Sequence, residues 1–174
     1  MFQALFFKAR GRFRAQGSLS REKGNLKNKL LNLDFSTITL CLSLFPWAEY
    51  KRAKGGIKAH IMLDHDGYVP SFVLFTNAKV ADVTVTQGLA LNLGSILVLD
   101  RGYQDYALFG KGTGQGAFFV TCLKSNAVFE VMANRSGPKT QNVLAEPTIL
   151  LTGSLTDCPY PLRRLVVWDE KNQK

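Results

Sequence analysis

Cysteine and histidine are scarce in this chain, with three Cys and two His among 174 residues. Cys41, Cys122 and Cys158 are odd in number, widely spaced and without a Cys-x-x-Cys pair. That pattern argues against a disulfide framework, and with no histidine cluster beside it also against a structural zinc site. Reduced thiols of this kind fit a cytoplasmic chain. Long hydrophobic runs are missing too. The most apolar window, residues 30–48, is broken by Asn32, Asp34, Ser36, Thr37, Thr39 and Pro46. A central Asp costs about 2.5 to 3.5 kcal/mol on insertion of a helix, so no membrane span is expected. Residues 1–7 place a short apolar run ahead of the charges, the reverse of a secretory signal, and export is not expected. Internal repeats and low-complexity tracts are absent from the sequence.

Acidic residues are the minority charge, 13 Asp and Glu against 22 Lys and Arg, for a net charge of +9. The excess is uneven: residues 1–30 hold eight basic residues and one acid, Glu22, while residues 31–174 hold fourteen against twelve. Basicity therefore belongs to an amino-terminal arm, residues 1–26, in which Phe6, Phe7 and Phe13 interleave with Lys8, Arg10, Arg12 and Arg14. Such an arm suits phosphate neutralisation, because each neutralised phosphate releases counterions. Its bland alternatives are a solvated tail or the remains of a helix cut from its domain. The remaining chain, 46% hydrophobic overall, is long enough for one domain with a real core.

After the arm, strands follow in succession. Residues 31–42 are rich in β-branched side chains, and residues 58–63 and 69–76 flank Asp64-His65-Asp66-Gly67, where Asp-Gly between β-rich runs signals a hairpin. Asn77 is placed to cap a helix over residues 78–93, weakened by Gly88. Residues 95–100 read as a strand buried on both faces, through Ile96, Leu97, Val98 and Leu99. A second helix is expected to begin within residues 103–110, with too much glycine in residues 111–116 to extend it comfortably, followed by a strand over residues 118–123. From residue 127 the texture changes to short alternating pieces at 128–132, 148–152 and 162–168, punctuated by Pro138, Pro147, Pro159 and Pro161. The fold class is α/β, a mixed sheet with flanking helices followed by a β-rich segment. The expected division is 1–26 arm, 27–126 core and 127–174 β-rich region.

Two aspartates stand out. Asp34 lies inside the first strand, and Asp100 closes the buried run and is followed at once by Arg101-Gly102-Tyr103. A carboxylate at the end of a buried strand needs a partner or a purpose. The segments KNKLLNLDFSTITLCLSL (27–44), FPWAEYKRAK (45–54), GIKAHIMLDHDGYVP (56–70) and SILVLDRGYQDYALF (95–109) resemble the catalytic domain of bacterial insertion-sequence transposases of the DDE class. The resemblance runs from about residue 23 to about residue 169, most of the chain.

The resemblance implies an RNase H-like core in which the first and fourth strands lie side by side, with Asp34 and Asp100 as the first two metal-binding, catalytic carboxylates. It implies Mg²⁺ or Mn²⁺ as cofactor, since hard divalent ions take carboxylate oxygen and a pair of them about 4 Å apart can clamp the attacking and leaving oxygens of a phosphodiester. DNA is the implied partner, a homodimer the implied state of a full-length parent, and cut-and-paste transposition the implied activity. The family's third acid, a Glu in a Tyr-x-x-Arg-x-x-x-Glu-x-x-x-x-x-x-Lys pattern beyond a β insertion, has no match before Lys174. Glu130, Glu146 and Glu170 do not fit it, so the chain is expected to be a truncated, inactive fragment without the third-acid helix.

Arg101 and Tyr103 beside Asp100 are candidate DNA contacts. Lys51, Arg52, Lys54 and Lys58 after Trp47 either track a DNA backbone or form a solvated hairpin rim. Trp168 either stacks on an unpaired base or packs in a core. His60 and His65 read as structural, and Asp64 and Asp66 as turn formers. A non-enzymatic basic DNA-binding module, with the fold as scaffold, is the competing reading.

Overall fold

The computed structural model describes residues 8, 11–12, 26–41, 43–44, 46, 49–51, 54–135, 142–154 and 156–168. The arm is therefore almost wholly outside the described residues, as are Trp47, Arg52 and Glu170, and nothing of the side chains of Lys51 and Lys54 is described. The chain divides into two compact units, residues 1–105 with 114–122, and residues 106–113 with 123–174.

The first unit is built on a six-stranded mixed sheet: β1 (Leu30–Leu40), β2 (Glu49–Lys51), β3 (Lys54–Asp64), β4 (Val69–Asn77), β5 (Ile96–Leu99) and β6 (Phe118–Val120). β3 lies between β1 and β4, all antiparallel, and short β2 pairs with the first residues of β3. On the other side of β1 the pairing becomes parallel, β1 with β5 and β5 with β6. Period-two burial explains the layout: Leu31 and Leu33 of β1 and Leu97 and Leu99 of β5 are all buried, and Leu33 and Leu97 are wholly so. Each such leucine contributes about 1.5–3 kcal/mol of hydrophobic stabilisation.

The hairpin between β3 and β4 forms at Asp64-His65-Asp66-Gly67, with Gly67 at φ +98° and Tyr68 also left-handed at +53°. Asp64 does more than turn the chain. It accepts the backbone N–H of Asp66 at 3.0 Å, and its carboxylate, buried, meets the ammonium of Lys29 at 2.8 Å.

Two helix expectations need correction. In place of a helix over residues 78–93 there is one short helix, α1 (Asp82–Thr86). Asn77 caps a turn instead, its Oδ1 accepting from Lys79 N at 2.9 Å, and the Thr86 hydroxyl folds back onto the Val83 carbonyl at 2.5 Å. Side-chain bonds of this kind compete with helical ones, and Gly88 then adds no propensity to resume the helix. The second helix, α2 (Tyr106–Gly114), starts within the expected stretch but runs on through the glycines. Gly110 and Gly112 are buried. A Cβ at Gly110 would collide with the backbone carbonyl of Asp157, so close backbone packing offsets the helix cost of about 1 kcal/mol per glycine.

The second unit contains most of α2 and a four-stranded sheet of β7 (Glu130–Arg135), β8 (Val143–Leu150), β9 (Leu162–Arg163) and β10 (Val166–Val167). β8 pairs antiparallel with the other three. Phe109, Ile149, Leu151 and Cys158 are buried within this unit, and burial pushes the Cys158 thiol pKa up. Among the described residues no helix is long and apolar enough to cross a membrane.

Candidate active site

The two sequence-predicted aspartates belong to neighbouring segments of the sheet. β1 and β5 pair in parallel, ending at Leu33 beside Leu99, and Asp100 continues in extended conformation at ψ 159°. One residue further along each chain come Asp34, still within β1, and Asp100, just past the end of β5, on strands that pair about 4.8 Å apart. Both aspartates are exposed. Asp34 Oδ1 accepts the N–H of Phe35 at 2.7 Å, and Asp100 Oδ2 accepts that of Gly102 at 3.1 Å. Each carboxylate is thereby fixed at one oxygen by its own backbone, and hard oxygen donors so arranged fit Mg²⁺ or Mn²⁺. The fit extends to two carboxylates: among the described residues no group of three His, Cys, Asp or Glu could hold a metal ion.

Immediately after Asp100 the chain turns through a 3₁₀ segment, Arg101–Tyr103. Arg101 is exposed, whereas Tyr103 has no solvent exposure. Tyr103, a candidate DNA contact in the sequence, is buried: its hydroxyl lies 2.7 Å from His60 Nδ1, and its ring packs edge-on against Phe35 and His60 at 6.0 and 5.7 Å. Burial, then the negative charges of Asp82, Asp34 and Asp100, pushes the phenol pKa up, so it stays protonated. His60 Nε2 reaches Thr76 Oγ1 at 2.8 Å, which makes His60 the satisfied structural histidine anticipated from its strand. Its burial depresses the imidazole pKa, with Lys58 acting in the same direction and Asp82 against. We assign the phenol as donor to Nδ1, which leaves Nε2–H to donate to Thr76.

Asp82 and the structural role of Lys58 were not apparent in the sequence. Lys58 Nζ meets Asp82 Oδ1 at 2.7 Å and the Val80 carbonyl at 3.0 Å, and stands 5.1 Å from the centre of the Phe35 ring. With side chains only 12% and 15% exposed, this pair is an internal clamp. The period-two spacing of Lys58 and His60 along β3 was the available signal, since it sets both on the face shared with Phe35.

The other candidates are dispersed. Lys51 and Lys54 lie in β2 and β3. His65 sits in the hairpin turn, its ring 5.5 Å from Tyr68. In the second unit, Glu130 is an exposed residue of β7, and buried Glu146 is engaged by Arg163 at 2.6 Å and by Arg135 at 4.0 Å. Trp168 follows β10, 41% exposed, its backbone N–H donated to the Asn142 carbonyl at 2.8 Å.

Comparison with known proteins adds to this geometry. Residues 26–153 match the family described as transposase DDE domain. Over 156 residues the chain is 30% identical to a Sinorhizobium fredii protein named as a transposase, y4zB, covering 87% of this chain and 44% of that one. Over 94 residues it is 29% identical to a Geobacillus stearothermophilus protein named as a transposase for insertion sequence element IS5377, covering 54% of this chain and 25% of that one. The chain spans less than half the length of these relatives. No solved structure matches.

Proposed function

Since this chain belongs to the transposase DDE domain family, we propose that its first unit is the RNase H-like catalytic fold of a cut-and-paste DNA transposase, with Asp34 and Asp100 as metal-binding carboxylates. What supports this reading is the parallel register of β1 and β5, which runs to Leu33 beside Leu99, with exposed Asp34 next along β1 and exposed Asp100 just past the end of β5. When bound, divalent metal supplies charge neutralisation at the attacking and leaving oxygens of a phosphodiester. The chain's own residues do the rest. Asp34 and Asp100 hold the site in place, each oriented by a backbone N–H one or two residues on. Exposed Arg101, adjacent to Asp100, binds the phosphate of the DNA strand drawn to that site. Lys51, Arg52 and Lys54 follow the DNA backbone, and Trp168 stacks on an unpaired base. The division into residues 1–26 as arm, 27–126 as core and 127–174 as β-rich insertion, and a homodimer in a full-length parent, belong to the same proposal.

With two carboxylates the chain binds metal and DNA but does not cleave. Asp82 does not supply a third, because Lys58 already neutralises it. The test is Mg²⁺- or Mn²⁺-dependent nicking of supercoiled plasmid by purified chain, with Asp34→Asn and Asp100→Asn as controls. No nicking is expected. Robust nicking by the unmodified chain that both substitutions abolish would establish a complete site within these residues and overturn the inactive reading. Tight Mn²⁺ binding untouched by either substitution would overturn the assignment of the two aspartates.

A further inference from the structure

The geometry points to Tyr103, tethered by His60, as a positioning residue for the Asp100 carboxylate, an inference that rests on the metal-binding reading of Asp34 and Asp100. Asp100 is exposed and sits at a strand end, where a carboxylate would ordinarily sample several rotamers. What restrains it is the turn that follows. Asp100 Oδ2 accepts Gly102 N–H at 3.1 Å, and the Asp100 carbonyl accepts Tyr103 N–H at 3.0 Å, so carboxylate and turn are one hydrogen-bonded unit.

Tyr103 anchors that unit to the sheet. Its hydroxyl, His60 and Thr76 form a chain of contacts at 2.7 and 2.8 Å that joins the turn after β5 to β3 and β4. Its ring also packs against Phe35, at 6.0 Å and 69° between planes, and Phe35 is the residue whose N–H holds Asp34 Oδ1. One aromatic ring therefore touches the residue that orients the first aspartate and belongs to the turn that orients the second. Ring packing alone would not need a hydroxyl, an imidazole and a threonine in a row. Buried polar groups must be satisfied with good directionality, and that requirement specifies where the turn sits as apolar contact does not.

The turn is confined from the side as well. A Cβ on Gly102 would lie 3.1 Å from Asp82 Oδ2, tighter than an ordinary contact, and 3.5 Å from Asp100 Oδ2, so glycine lets the turn pass Asp82 without displacing its carboxylate. Asp82 is itself held by Lys58 at 2.7 Å. Turn, sheet and clamp together leave the Asp100 side chain ordered before any ion arrives, so binding does not have to supply that ordering.

The experiment measures Mn²⁺ binding to the whole chain by the electron paramagnetic resonance of unbound Mn²⁺, for unmodified protein, Asp34→Asn, Tyr103→Phe, His60→Gln and His60→Leu. Near-ultraviolet circular dichroism reports folding in every sample. Removing the phenol hydroxyl is expected to weaken Mn²⁺ about 10- to 100-fold in folded protein, as loss of an outer-shell partner does. His60→Gln, whose amide oxygen can still accept from the phenol, should retain more affinity than His60→Leu. Affinity of folded Tyr103→Phe within about twofold of the unmodified chain overturns the inference, that change being far below the expected loss. Should Tyr103→Phe not fold, the histidine pair decides, and equal Mn²⁺ affinity of Gln and Leu variants overturns it. Failure of the underlying reading looks different: unmodified chain and Asp34→Asn would then bind Mn²⁺ alike, or neither would bind, and the inference would fall with it.

Discussion

At the scale of single residues, side chains that look alike in sequence differ by what surrounds them. Gly110 lies mid-helix because a Cβ there would run into the Asp157 carbonyl. Gly110→Ala gains helix propensity of about 1 kcal/mol and yet should destabilise the chain by about 1–3 kcal/mol, since overpacking against backbone has no flexible partner to yield. Urea unfolding of the two proteins checks the sign. His60 supplies a pH dependence. Facing the Tyr103 and Thr76 hydroxyls and the Phe35 ring, with Lys58 and Asp82 nearby, it has a pKa held below the ordinary imidazole value by burial. Unfolded, it titrates near about 6.5. The unfolded chain thus binds more protons in the window from about 6.5 down to the lowered value, and stability present above that window is lost as pH falls through it. The urea midpoint of unmodified protein is expected to drop between about pH 7 and about pH 5 by more than that of His60→Gln measured across the same range.

At the scale of elements, the contact between β1 and β5 matters most, because it joins distant segments, each of which carries one of the two aspartates. Leu33 and Leu97 are wholly buried along it. Truncating either to Ala should cost about 2–5 kcal/mol, the range for a core leucine leaving a cavity. Thermal or urea denaturation measures that. A companion measurement separates packing from chemistry: at a temperature where Leu97→Ala remains folded, its Mn²⁺ affinity should fall, since β5 carries Asp100 at its end. The Lys58–Asp82 clamp is a second such joint, tying β3 to the start of α1. Lys58→Met leaves Asp82 largely buried and unpaired, and should destabilise by about 3–5 kcal/mol. The double change Lys58→Met with Asp82→Leu should recover most of it, an outcome readable in the same melting curves.

For the whole molecule, the net charge of +9 sets the expected behaviour towards DNA. Binding should be largely independent of sequence, and its affinity should fall by about 10³-fold or more from about 50 mM to about 200 mM salt, as counterion release requires when several phosphates are neutralised. Fluorescence anisotropy on two unrelated duplexes over a salt series tests both parts. A flat salt dependence, or strong preference for one duplex, would contradict the electrostatic account.

The amino-acid sequence by itself determined what depends on neighbours along the chain. β-Branched content marks β1, the β-rich runs flanking Asp66-Gly67 mark β3, β4 and their hairpin, and the apolar run Ile96, Leu97, Val98 and Leu99 marks β5, because all these signals are local. The residue patterns around Asp34 and Asp100 were legible through family resemblance, which also anticipated that the first strand pairs with the strand ending in Asp100. Only the tertiary structure decided the rest. α1 shrank to five residues because Asn77 and Thr86 bond to local backbone, and α2 ran through three glycines, at one of which, Gly110, a distant carbonyl occupies the space a side chain would need. Tyr103 turned from surface candidate to buried anchor, and Lys58 from basic rim to clamp, because their partners His60 and Asp82 sit 43 and 24 residues away in sequence. Hydrogen bonds and ion pairs formed across such separations depend on the fold as a whole, and no local pattern encodes them.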